Sequence, residues 1–234
     1  MIPVCQLSET PRDPILSVAA ETRAVLFADL VGSTAAYERM GNHAAKDAVD
    51  RRLQALKRAV HQHHGLVIKS LGDAILACFN HADHAAAAAL KMQADVVNDM
   101  AAGTGIFNLR IGFHLGDVLF DATDIFGDAV NVAARITDAA RAGQILTSGE
   151  TVARLGGLHL GRARAFDHVR LKGKTDPVHL YEVVWEQEEE VTRMANGPGL
   201  RPEGMTLPDH HHLNLVLGDR HLRVHVVGRN ALEG

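Results

Sequence analysis

The chain of 234 residues is 47% hydrophobic, 22% charged and 4% aromatic, a make-up for one well-buried core plus a smaller piece that excludes collagen-like, disordered and disulfide-stapled classes. A formal charge of −4 leaves no overall positive field to gather nucleic acid or an anionic membrane, so any bound anion must be held locally. No apolar run approaches the roughly 20 residues of a membrane span, no signal-peptide order opens the chain, and Cys5 and Cys78 form no paired motif, which together point to a reduced cytoplasm.

Residues 1–20 hold three of the seven prolines without a sustained period and read as a tail or connector. The apolar run 23–29 suits a buried strand, and Gly32, Ser33 and Thr34 follow as a tight turn with helix-capping hydroxyls. Apolar residues at Val49, Leu53, Leu56 and Val60 have helical spacing within 44–64, and Gly65 offers a left-handed stop. Runs 66–71 and 74–79 flank Gly72-Asp73 as a hairpin. Asp83 is placed to cap an alanine-rich helix reaching residue 101, and Leu109, Ile111 and Phe113 then alternate as a half-buried strand. A second hairpin is expected at Gly116-Asp117, leading into 118–120. A helix over 128–141 closes at Gly143, and a short strand at 145–147, a small helix capped by Ser148 and strands ending at 183–185 complete the pattern.

The order β-α-β-β-α-β with additional C-terminal strands is the ferredoxin-like arrangement, an α+β fold with an antiparallel sheet and helices on one face. The opposite face needs a cover, and a two-fold homodimer is the commonest solution. Residues 21–186 form the main domain. The Gly- and Pro-rich stretch 187–212 has linker composition, with His210–His212 as a solvated run, and 213–234 alternates like two strands around Gly218-Asp219 but is too short for a core.

Asp29 ends the first predicted strand and Asp73 sits in the first predicted hairpin turn, so pairing of those strands brings two carboxylates together. Bare carboxylates repel, and hard oxygen donors of this kind suit Mg²⁺ or Mn²⁺, which share their remaining positions with water and phosphates. Taken singly, such aspartates are most often solvated caps. Leu30-Val-Gly32-Ser33-Thr34 follows Asp29 directly, and free N–H groups at a helix start favour phosphate oxygens, although hydroxyls there cap any helix. Asn131 and Arg135 are four apart and share a helix face. Arginine is a permanent bidentate phosphate ligand and an amide positions a ribose oxygen or water, so the pair fits charge stabilisation in phosphoryl transfer; in other settings it is an ordinary solvated face.

Phe27-Ala-Asp29-Leu-Val-Gly-Ser-Thr34, Lys69-Ser-Leu-Gly-Asp73, Asp124-Ile-Phe-Gly-Asp-Ala-Val-Asn131-Val-Ala-Ala-Arg135 and Leu171-Lys172-Gly-Lys174 together resemble the catalytic domain of class III adenylate/guanylate cyclases, over residues 21–186. By that resemblance Asp29 and Asp73 match the aspartates that hold two Mg²⁺ or Mn²⁺ ions per active site, and Leu30 a position that lends its carbonyl. Asn131 matches the ribose-orienting asparagine, Arg135 the transition-state arginine and Lys172 the lysine at the terminal phosphates. Lys69 and Asp124 match the adenine-selecting pair: lysine donates to adenine N1, aspartate accepts from the exocyclic amine, and guanine presents the reverse pattern. The resemblance thus implies an adenylate cyclase making 3′,5′-cyclic AMP and pyrophosphate from ATP. It also implies a homodimer, with the metal aspartates from one chain and the base-selecting and transition-state residues from its twin.

One departure is the lack of a basic residue in 116–125, where some members carry an arginine. The competing reading is a catalytically weak nucleotide-sensing dimerisation module that relays ATP to attached regulatory domains. Its mark would be loss of a metal aspartate, Asn131 or Arg135, and none is lost. Residues 213–234, with Val227-Gly-Arg229, resemble the opening strands of a forkhead-associated domain, which bacterial cyclases sometimes carry.

Overall fold

The computed structural model describes residues 20–169, 177–185, 210–217 and 220–227. Strand β1 (Glu21–Val31) is followed by helices α1 (Ser33–Met40) and α2 (Asn42–Gln62), strands β2 (Gly65–Leu71) and β3 (Ala74–Phe79), and helix α3 (Ala82–Ala101). Then come β4 (Asn108–Asp121), β5 (Asp124–Phe126), α4 (Asp128–Ala139), β6 (Ile145–Ser148), the short helices α5 (Gly149–Val152) and α6 (Gly157–Leu160), β7 (Ala163–Val169) and β8 (Val178–Val183). These strands make one eight-stranded sheet in the order β2-β3-β1-β4-β6-β8-β7, with β5 added to β4. Every pairing is antiparallel except β4 with β6. The fold is α+β, and its first strands and helices follow the ferredoxin-like order.

β1 reads as a near-continuous apolar run because it is buried on both faces. Ala24, Leu26, Ala28 and Leu30 enter a core closed by α2 and α3, while Val25 enters a second core with Leu76, Cys78 and Ala129 and Ala133 of α4. The buried stripe of α2 runs through Ala45, Val49, Leu53, Leu56 and Val60, which is the three-four spacing of one helix face. Ala85, Ala86, Ala88 and Ala89 of α3 are fully buried, and such small side chains let that helix lie close to its neighbours.

Helices therefore cover both faces. The expected single helical face holds for α2 and α3, whereas α4, an addition to the ferredoxin-like order, supplies part of the cover that the sequence assigns to a second copy. Val132, Ile136 and Ala140 carry α4 onward to Leu146 of β6 and Leu180 of β8. Close approach depends on Gly112, where a Cβ would stand 2.4 Å from the Thr137 backbone nitrogen, and on Gly116, where it would meet the Ala129 Cβ at 2.9 Å.

Several local expectations are corrected. No turn interrupts β4 at Gly116-Asp117: these residues lie opposite Arg23 and Thr22 of β1, and the Thr22 hydroxyl donates to Asp117 at 2.7 Å. The hairpin comes later, between β4 and β5, and Gly116 serves helix packing instead of a turn. After α2 it is His64 that takes the left-handed conformation, at φ 59°, while Gly65 opens β2, where a Cβ would meet the Phe79 ring at 2.3 Å. No hydroxyl caps α1, since Gly32 precedes it at φ 99° with no side-chain cap. Asp83 does not cap α3; it accepts from the Gly156 N–H at 2.9 Å and from His159 Nδ1 at 2.7 Å, tying α3 to α6. Ser148 does cap α5, accepting from the Thr151 N–H.

The chain divides after Trp185. In its second unit, β9 (His210–Leu217) and β10 (Arg220–Val227) pair antiparallel, so β9 begins inside the stretch that composition assigns to a linker and takes in His210–His212.

Candidate active site

Alternation along β1 places Asp29 on the same sheet face as Val25 and Phe27, the face that α4 partly covers. Asp29 lies opposite Ala74 on one side and Arg110 on the other. Arg110 donates to a single Asp29 oxygen, Oδ2, from Nε at 2.7 Å and from Nη2 at 2.6 Å. The same Nη2 stands 3.8 Å from Asp138 Oδ1 near the end of α4.

The hairpin turn brings Asp73 beside the end of β1, where its carbonyl accepts from the Leu30 N–H at 3.3 Å. Its carboxylate accepts from the Ser33 hydroxyl. The left-handed Gly32 lets α1 start immediately after β1, which delivers Ser33 to that position. Asp29, Leu30, Ser33 and Asp73 thus form one group at the end of the central strands, with Thr34 exposed beside it. Two carboxylates and a nearby peptide carbonyl are hard oxygen donors. Mg²⁺-type ions bind through one or two carboxylates with water and phosphate completing the shell, so this donor set fits them without a larger protein cage.

Lys69 reaches its place through a bulge. Val67 pairs with Ala77 on the α2–α3 face, but the register shifts before Lys69, which pairs with Leu76 on the α4 face. In an uninterrupted strand residues two apart share a face, so the bulge turns Lys69 across the sheet. There Nζ lies 2.5 Å from Asp124 Oδ2, while the Ile125 N–H donates to Oδ1 at 2.9 Å. The Lys69 hydrogen bond, helped by that N–H, holds the Asp124 carboxyl below the usual carboxylate range.

Asn131 and Arg135 lie on α4, the first exposed and the second half-buried. Asn131 Nδ2 makes a long contact of 3.5 Å with the Gly127 carbonyl. Among the described residues no hydrogen bond or ion pair joins Asn131 or Arg135 to Asp29 or Asp73. Lys172 lies outside the described residues. Arg110 and Asp138 were not singled out from the sequence. The alternation Leu109, Ile111, Phe113 puts Arg110 on the opposite face, but only the β1–β4 register sets it against Asp29.

The family model for the adenylate and guanylate cyclase catalytic domain matches residues 17–184. The chain belongs to this family. The adenylate cyclase of Anabaena cylindrica is 33% identical over 189 residues, covering 70% of this chain and 38% of that protein. The adenylate cyclase of Streptomyces coelicolor is 35% identical over 117 residues, covering 50% of this chain and 30% of that protein. This cyclase domain thus sits in a chain that spans well under half the length of these curated relatives. Among solved structures, the adenylyl cyclase CyaB from P. aeruginosa superposes with a TM-score of 0.61 at 26% identity, covering 72% of this chain and 96% of that one. An adenylate/guanylate cyclase/hydrolase from Silicibacter pomeroyi gives 0.59 at 29% identity, over 71% and 98%. The family match ends before β9 and β10. Among the described residues no helix is long and apolar enough to cross a membrane.

Proposed function

We propose that this cyclase domain is an adenylate cyclase that converts ATP to 3′,5′-cyclic AMP and pyrophosphate by in-line attack of the ribose 3′ hydroxyl on the α-phosphorus. The observation that carries the adenylate assignment is the Lys69–Asp124 pair: a donor and an acceptor fixed side by side match the N1 acceptor and the amino donor of adenine. Guanine would set like groups against each other there, which costs unpaired polar groups. The two relatives named as adenylate cyclases support the same reading.

Asp29 and Asp73, with the Leu30 carbonyl, would hold two Mg²⁺ or Mn²⁺ ions, which when bound supply Lewis-acid charge beside the 3′ hydroxyl and the triphosphate. Gly32, Ser33 and Thr34 offer the N–H groups of the α1 start to phosphate oxygens. Asn131 orients the ribose, Arg135 offsets charge growing on the α-phosphoryl group, and Lys172 meets the terminal phosphates. The site forms between two copies of the chain in the cytoplasm, the aspartates from one and Lys69, Asp124, Asn131 and Arg135 from the other.

The test is to incubate the purified chain with ATP or GTP and each metal, and to measure cyclic nucleotide and pyrophosphate. Cyclic AMP is expected, with loss on the order of 100-fold or more in Asp73→Ala, and Lys69→Glu with Asp124→Cys should shift preference toward GTP. An unchanged purine ranking would refute the base-selecting pair. No product in any condition would favour a nucleotide-sensing module.

A further inference from the structure

We propose that Arg110 is a positioning residue for Asp29: its guanidinium holds the carboxylate in the metal-free chain and passes to Asp138 when a divalent cation binds there. This rests on the reading of Asp29 as a metal ligand. Both Arg110 donors converge on Asp29 Oδ2, so a cation bound to this carboxylate would stand close beside the guanidinium whichever oxygen it takes. Two positive groups at that separation repel, and they repel most where solvent is scarce. The Asp29 side chain is 18% exposed and that of Asp138 75% exposed, so the resting pair occupies the more shielded partner.

Asp138 is already within 3.8 Å of Arg110 Nη2, so a side-chain rotation suffices for the exchange. Acceptance also suits Asp138 itself. An acidic residue in the last turn of a helix faces the negative end of the helix dipole, and an arriving guanidinium relieves that. Asp138 shares α4 with Asn131 and Arg135, so in the proposed two-copy arrangement occupancy at the end of β1 would be relayed to the helix that serves the dimer's second site.

The experiment uses the full chain and Mn²⁺ alone, reading bound ion by electron paramagnetic resonance and stability by thermal melts. Asp29→Asn should lose the tight site. Arg110→Gln should bind Mn²⁺ on the order of 10-fold more tightly, melt at a lower temperature without metal, and gain more stability from Mn²⁺ than the unmodified chain. Arg110→Lys, a single point charge, should fall between them. Asp138→Asn should bind Mn²⁺ roughly 2- to 3-fold more weakly, because the displaced guanidinium has lost its second partner.

A folded Arg110→Gln protein with unchanged or weaker Mn²⁺ binding overturns the inference and leaves the reading of Asp29 intact. Unchanged affinity in Asp138→Asn overturns the transfer to that residue. Should Arg110→Gln fail to fold, Arg110→Lys and Asp138→Asn decide the matter. Mn²⁺ binding that survives Asp29→Asn, or is absent from every chain, removes the metal assignment and the inference together.

Discussion

Gly112→Ala should separate α4 from the sheet. The added Cβ would stand 2.3 Å from Thr137 Oγ1, 2.4 Å from its backbone nitrogen and 2.7 Å from its Cα. A flexible side chain could turn away, but two of these three atoms are helix backbone. The Thr137 hydroxyl is also committed, donating to the Ala133 carbonyl at 2.9 Å. Ordinary contact needs about 3.5 Å or more, so α4 must rise by on the order of 1 Å over β4. Overpacking costs about 1–3 kcal/mol, and loosening the fully buried Ala133 and Ile136 puts this site at the upper end. At about 2–4 °C per kcal/mol for a chain of this size, a loss near 3 kcal/mol lowers the melting temperature by about 6–12 °C. Because α4 carries Asn131 and Arg135, cyclisation measured well below that temperature should also fall, by up to about 100-fold for a 1 Å displacement. The assay pairs circular dichroism melts with steady-state cyclic AMP formation, and uses Gly157→Ala as a control, since a Cβ there meets nothing within 4 Å. A Gly112→Ala chain that melts within about 1 °C of the parent and cyclises at the same rate would refute the packing argument.

Acid should weaken the contact between the end of α2 and the start of α3. Burial first, then the charges of His64, Lys91, His84 and His159, hold His63 below its ordinary 6.5, and burial with His81 and His64 does the same to His84 against the opposing pull of Asp83. The folded chain resists those protons and the unfolded chain does not, so this stability is complete above pH 6.5 and is lost as pH falls below it. The urea midpoint should be lower at about pH 5.5 than at about pH 7.5, and His84→Leu should shrink that difference; an undiminished difference would count against the cluster. Asp83 acts in a separate, lower window. Burial opposes its charge, but the His159 and Gly156 hydrogen bonds keep it below its ordinary 3.8, so its contribution disappears only in stronger acid. For the shared site, mixing inactive Asp29→Ala and Arg135→Ala chains should restore activity in mixed dimers, and no recovery despite demonstrated subunit exchange would sink the two-chain arrangement.

Much of the fold was legible because it is written in local periodicity. The three-four stripe of α2, the run of β1 and the glycine turn before Asp73 each depend on a few consecutive residues. What escaped depends on register between distant segments. Gly116 resembles a turn residue until its pairing with Arg23 and its closeness to Ala129 are known. Lys69 would be assigned to the wrong sheet face by simple alternation, since the shift after Val67 leaves no mark in the apolar pattern. The same limit hid Arg110, whose partner is 81 residues away. Motif spacing led to Asp29, Asp73, Lys69 and Asp124, but it said nothing of what those groups hold when the site is at rest.

That resting state bears on how the proposed chemistry would begin. The sequence implies two bare carboxylates in need of cations, yet Asp29 is matched by Arg110 and Asp73 by the Ser33 hydroxyl, while Lys69 and Asp124 satisfy each other. Ligand arrival is then an exchange of partners. A partly exposed ion pair such as Lys69–Asp124 contributes little to stability, so surrendering it costs little, while it keeps both side chains oriented until the exchange. Arg135 differs in having no such partner among the described residues, and Asn131 has only a long contact. These are the two groups assigned to the ribose and to the charge that develops during reaction. With no carboxylate among the described residues to leave, Arg135 meets that charge without first breaking an ion pair, so its binding energy is available where it lowers the barrier.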